Sequence, residues 1–166
     1  MAAREYPADL KPMKYREPYH YGTFERPPEE LPFEILYEGE YRGVKFRITN
    51  NRGYNPCCYI KIPDSLLYNP KLCTGKASAR DYYEDIVDVH GGVTWVGSFD
   101  WSRPKDAENN VIDCIGWDYG HLGDWTPGTG DAIGFFGGSD MKWTSEMLYN
   151  ECIEAIDNML DEGFRG

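Results

Sequence analysis

Two short segments hold the side chains best suited to chemistry: His90-Gly91-Gly92-Val93-Thr94-Trp95 and Gly116-Trp117-Asp118-Tyr119-Gly120-His121-Leu122-Gly123-Asp124-Trp125. Each sets one histidine at the end of a strand-like run, beside glycines. Imidazole titrates near neutral pH, so His90 and His121 can serve as general base and general acid. Asp118 or Asp124 can accept the second ring N–H of one imidazole and fix its tautomer. Gly91 and Gly92 carry no side chain, which lets an anionic ligand approach their backbone N–H groups. Thr94 can donate to an anionic oxygen. Trp95, Trp117, Tyr119 and Trp125 offer flat surfaces, and a base stacked on such a ring gains roughly 1–3 kcal/mol. The expected catalytic set is therefore His90, His121, Asp118 and Asp124, and the expected ligand-binding set is Gly91, Gly92, Thr94, Trp95, Trp117, Tyr119 and Trp125.

Three other readings compete. The histidines can simply satisfy backbone groups at turns. They can form a pocket that binds without turnover. With Asp118 or Asp124 they can form a metal site, because the ligand types suit zinc or manganese. No HxH or HExxH spacing supports that last reading, so no metal or cofactor is expected and chelators are expected to leave activity intact. There is also no GxxxxGK[ST] phosphate loop and no GxSxG nucleophile elbow. Five cysteines, Cys57, Cys58, Cys73, Cys114 and Cys152, show no CxxC pair. An odd count without zinc spacing reads as free thiols in a reducing compartment.

The elements that must position these residues follow from periodicity. Residues 1–32 carry Pro7, Pro12, Pro18, Pro27, Pro28 and Pro32, which deny the stretch a helix. It reads as an extended arm, mobile or draped, ahead of a single domain over 33–166. Phe33–Tyr37 reads as a strand, and Tyr41–Thr49 alternates Val44, Phe46 and Ile48 on one face. Asn50-Asn51-Arg52-Gly53 is turn chemistry, and Cys58–Ile62 returns as the second arm of an antiparallel hairpin until Pro63 stops it. Ala77–Asp85 fits a short helix, Val93–Phe99 and Val111–Trp117 further strands, and the glycine-rich run 120–138 a long loop. Trp143–Glu162 is the strongest helix: Leu148, Cys152, Ile153, Ile156, Met159 and Leu160 form an apolar stripe, with Thr144 or Ser145 at the cap. Its carboxylates are expected to face water without a catalytic role. The class expected is α+β: an antiparallel sheet of about four to six strands with the C-terminal amphipathic helix packed on it.

Composition bounds the partners. The chain has 166 residues, enough for one cored domain. Its net charge of −11 argues against duplex nucleic acid and anionic membranes as partners. No apolar run approaches a bilayer span. A small ligand remains, and a homo-oligomer is left open.

Tyr41-Arg42-Gly43, Tyr59-Ile60-Lys61-Ile62-Pro63, the two histidine boxes and the acidic C-terminal helix together resemble a group of small phage-encoded proteins with VHGG(L/I)TY and GFDxAHxGD boxes. The resemblance covers roughly residues 41–160. Trp95 stands where that group commonly has Tyr, Trp117 where it has Phe, and Gly120 where it has Ala. The His, Gly and Asp positions are kept. The resemblance implies a phage protein working in the cytoplasm of an infected bacterium, where small proteins of this kind counter host defence. With the residue reading, it gives as expected function the cleavage of a cyclic nucleotide immune signal by histidine-based, metal-independent phosphodiester hydrolysis. The alternatives are a sponge that sequesters the nucleotide, or a structural or interaction protein of the phage.

Overall fold

A computed structural model describes residues 5–16, 31–67, 76–100, 112–121, 124 and 141–162. The elements run β1 (Glu34–Tyr41), β2 (Val44–Asn51), β3 (Asn55–Lys61), α1 (Lys76–Ile86), β4 (Trp95–Gly97), β5 (Cys114–Asp118) and α2 (Ser145–Glu162), with a single 3₁₀ turn at Asp64–Leu66. The five strands form one sheet in the order β1-β2-β3-β5-β4, and every neighbouring pair is antiparallel. The fold is α+β, as the periodicity predicts. Among the described residues no helix is long and apolar enough to cross a membrane.

The turn between β1 and β2 is Arg42-Gly43, both at positive φ (49° and 79°). That pair of left-handed residues matches the twist of a tight hairpin. β1 therefore runs on through Gly39 to Tyr41, beyond the expected end at Tyr37. β3 starts at Asn55, three residues before the expected Cys58. The last strands are shorter than the pattern suggests: only Trp95–Gly97 and Cys114–Asp118 pair.

Strand alternation sorts the side chains onto two faces. Phe46, Ile60, Ile115 and Val96 share one rung, and Ile48, Cys58 and Trp117 share the next. All are buried in one core, closed over β1 to β3 by the α2 stripe of Leu148, Cys152, Ile153, Ala155, Ile156 and Met159, while α1 packs against β4. Full burial of each such apolar side chain contributes roughly 1.5–3 kcal/mol. The reverse face carries Arg47, Tyr59, Gly116 and Trp95 in register. There Arg47 forks onto Glu38, donates to the Phe99 carbonyl and covers the Phe99 ring at 4.3 Å.

The described part of the N-terminal arm, residues 5–16, is draped on the domain. Lys11 N–H donates to the Leu36 carbonyl (2.9 Å) beside an irregularity in β1, and Arg16 N–H donates to the Gly53 carbonyl (3.0 Å). Asn50 Nδ2 reaches the Lys14 carbonyl, and Ser145, the first residue of α2, donates through its hydroxyl to the Lys11 carbonyl. A Cβ on Gly53 would lie 2.8 Å from Arg16 N, so the arm's approach demands glycine there.

Candidate functional site

Strand β5 ends at Asp118, and the chain turns at once through Tyr119 and Gly120 to His121. Gly120 N–H donates to Asp118 Oδ1, and Asp124 N–H to the His121 carbonyl. A lone parallel bridge joins Asp124 to Met141 and brings the residues before α2 alongside. From the other direction, Val89 leaves α1's exit loop, and His90 is followed by a turn closed by Gly92 N–H on the Val89 carbonyl (3.0 Å). These segments, far apart in sequence, meet at one end of the sheet.

They meet as two histidine–carboxylate pairs. His90 Nε2 lies 2.9 Å from Asp124 Oδ2, and His121 Nδ1 lies 3.2 Å from Asp118 Oδ1. The imidazole centroids are 5.8 Å apart, edge to face. The pairs differ in burial: the Asp124 side chain is 2% exposed and that of Asp118 39%. Asp124 is the hub. Its Oδ2 also accepts the His121 backbone N–H (3.0 Å), and its Oδ1 accepts the Trp143 indole N–H (2.9 Å). A buried carboxylate needs donors of this kind to remain ionised without large cost. Tyr119 stacks flat on His90 at 4.7 Å and 11°, Trp143 meets His90 at 5.2 Å, and Tyr119 and Trp143 also touch each other at 4.6 Å, so the three rings pack as one cluster. The Tyr15 hydroxyl of the arm donates to the Trp143 carbonyl (2.8 Å). Burial, and secondarily the charge of Asp124, hold the Tyr15 hydroxyl well above the usual tyrosine range.

Gly91 and Gly92 both have packing roles, and the amide of Gly92 is already engaged. Both sit at positive φ, 70° and 82°. A Cβ on Gly91 would lie 2.5 Å from His121 Cε1, and one on Gly92 would lie 3.0 Å from Glu84 Oε1. Gly91 is what lets the two boxes touch. The Gly92 amide is spent inside its own turn, so it is not a donor for a developing anion. Thr94 likewise points its hydroxyl at the Gly116 carbonyl, 3.5 Å away.

The aromatic set divides. Trp117 and Tyr119 are core residues, 2% and 0% exposed, joined by an indole-to-hydroxyl hydrogen bond of 2.9 Å. Packed this way, neither offers an open face for stacking, and Trp117 reaches the groove beside His90 only with its small exposed remainder. Trp95 is 38% exposed but lies on the reverse face of the sheet, edge-on to Tyr59, and so belongs to a different surface from Tyr119 and His90. Trp125 lies outside the described residues, as does Cys73.

No described thiol is exposed. Cys58, Cys114 and Cys152 are buried, and burial pushes the half-buried Cys57 up to about 12. Nucleophilic cysteines are instead held low in pKa.

Beside His90 a groove of about 560 Å³ opens between the α1 exit and α2, with Asp88, Glu151, Glu154 and Asn158 on its walls and Trp117 at its floor. Burial, reinforced by Glu154, raises the Glu151 carboxyl above its ordinary range. The helix carboxylates thus do more than face water. Asp157 and Asp161 hold Arg42, while Glu151 and Glu154 border the candidate site. The expectation missed Trp143, Tyr15 and these glutamates. Trp143 had a visible signal only as a helix start, and Tyr15 had none. Comparison with protein-family models, with curated proteins and with solved structures returns no match to this chain.

Proposed function

We propose that this chain hydrolyses a phosphodiester bond in a small nucleotide, made by a phage inside an infected bacterium to remove a cyclic nucleotide immune signal. The observation that carries the reading is the pair of imidazoles 5.8 Å apart, each beside its own carboxylate in an environment unlike the other's. Groups so paired can pass protons in opposite directions across one reacting phosphate, which is what cleavage of a P–O bond requires. The groove supports a nucleotide in one orientation. Its carboxylates repel phosphate but accept hydrogen bonds, so they suit the amino and ring N–H edge of a base, with the phosphate toward the histidines. The phage setting rests on the resemblance of the two boxes.

The test is incubation of the protein with a panel of cyclic nucleotides, followed by heat denaturation and analysis of the supernatant. Cleaved product is expected, and His90→Ala or His121→Ala should slow its formation by about 10²–10⁴-fold. Intact nucleotide released only on heating would replace hydrolysis with sequestration. A panel neither consumed nor retained would overturn the nucleotide reading.

A further inference from the structure

We infer that His90, His121 and Asp124 form a binding site for one divalent transition ion of the zinc class. The three side chains each place a ligand atom within 4.8 Å of the others. His90 Nε2 and His121 Nδ1 lie 2.9 and 3.9 Å from the same oxygen, Asp124 Oδ2. Zinc bonds to nitrogen and oxygen of about 2.0–2.2 Å in a tetrahedron put ligand atoms about 3.4 Å apart, between these two values. Small side-chain rotations therefore complete the set.

Three further features point the same way. His121 Nδ1 is closed to solvent and, among the described residues, has no directed hydrogen bond: its nearest oxygen, on Asp118, is off line at 3.2 Å. A sealed ring nitrogen of that kind lacks the partner that buried polar atoms normally have. The Trp143 indole occupies Asp124 Oδ1 and leaves Oδ2 turned toward both imidazoles, the outer arrangement that orients a ligating carboxylate. The His90 ring packs against both Tyr119 and Trp143, which also touch each other, and its Nε2 is aimed at Asp124 Oδ2.

Charge supplies the reason. Asp118 pairs with one histidine, and Asp88, Glu151 and Glu154 border the other. A phosphate meets net repulsion there unless a cation stands between. Two imidazoles and one carboxylate suit zinc, iron or nickel better than the hard all-oxygen ions. Spacing motifs could not reveal the site, because His90 and Asp124 are 34 residues apart. That the ion binds does not rest on the hydrolase reading; when bound it would take His90 Nε2 and His121 Nδ1 out of proton transfer and supply a cation for the phosphate in their place.

The experiment strips the full chain with a chelator and titrates it with zinc chloride by calorimetry, then repeats the loading with cobalt(II) and records the absorption spectrum. One ion per chain is expected, with a cobalt spectrum free of thiolate charge transfer. His121→Ala, at a ring open on one side, should keep the fold by circular dichroism and weaken binding by about 100-fold or more. Trp143→Phe should weaken it by roughly 10–100-fold. Stripped wild type that binds no zinc, binding unchanged in His121→Ala, or a thiolate band would each overturn the inference. A bound ion with no cleavage of any nucleotide would uphold it and remove only the hydrolase reading.

Discussion

Helix α2 has a charge cluster near each end, and the two look alike on paper. Before its first turn, Asp124 receives His90 and Trp143 at 2.9 Å each. Near its last turn, Arg42 reaches Asp157 at 2.8 Å and Asp161 at 2.9 Å, with the Tyr41 hydroxyl on Asp157 at 3.0 Å. The distances match, but the solvent does not. Asp124 is 2% exposed, whereas the Arg42, Asp157 and Asp161 side chains are 38–58% exposed. Water screens the second cluster and leaves the first at full strength. One is a device that a function can use, and the other fastens a helix end.

The comparison breaks most readily at Asp124. Asp124→Ala leaves the Trp143 indole N–H, the His121 backbone N–H and the half-buried His90 ring without their acceptor, so it should cost about 3–5 kcal/mol in urea unfolding. A loss below about 1 kcal/mol, the range of exposed pairs, would erase the distinction. Trp143→Phe keeps the ring packing on His90 and removes one donor, and should cost about 1–3 kcal/mol. Glu151→Gln tests the acidic wall by pH. The native pKa of Glu151 is raised, so the native state favours its protonated form. That contribution is complete below the ordinary carboxylate range and is lost as pH rises through the native pKa. The variant should therefore melt higher than wild type at pH 7, with the gap closing toward pH 4. A gap that grows on acidification would reverse the assignment. Arg42→Ala should do least: its melting midpoint should stay with wild type, and added salt should not separate them. A clear drop would mean the exposed cluster carries weight that its solvation denies.

The same contrast explains what was legible in sequence. β1 to β3 and α2 were readable because alternation at Val44, Phe46 and Ile48 and the stripe from Leu148 to Met159 are local signals that the core then honours. The short strands were overestimated because Val93, though buried, precedes the paired residues. In the site, the glycine-set histidines stood out. Their partners did not: Asp118 and Asp124 each lie three residues from His121, and only the fold gives Asp124 to His90. The aromatic residues misled because type says nothing of face. Trp95 and Trp117 fall on opposite sides of one sheet, a parity that shifts with a single residue of register. Tyr15 was beyond reach, since its contact spans 128 residues.

That span has a consequence for how the molecule is assembled. The five described strands are complete by Asp118, but the indole that holds Asp124 comes 25 positions later and is itself met by a hydroxyl from the start of the chain. Contacts so distant close slowly, because loop entropy must be overcome before they return anything. During synthesis the sheet can pair while the carboxylate still lacks its indole donor. A chain cut short before residue 143 would contain every described strand and both site histidines, yet it would lack the indole that holds Asp124 Oδ1.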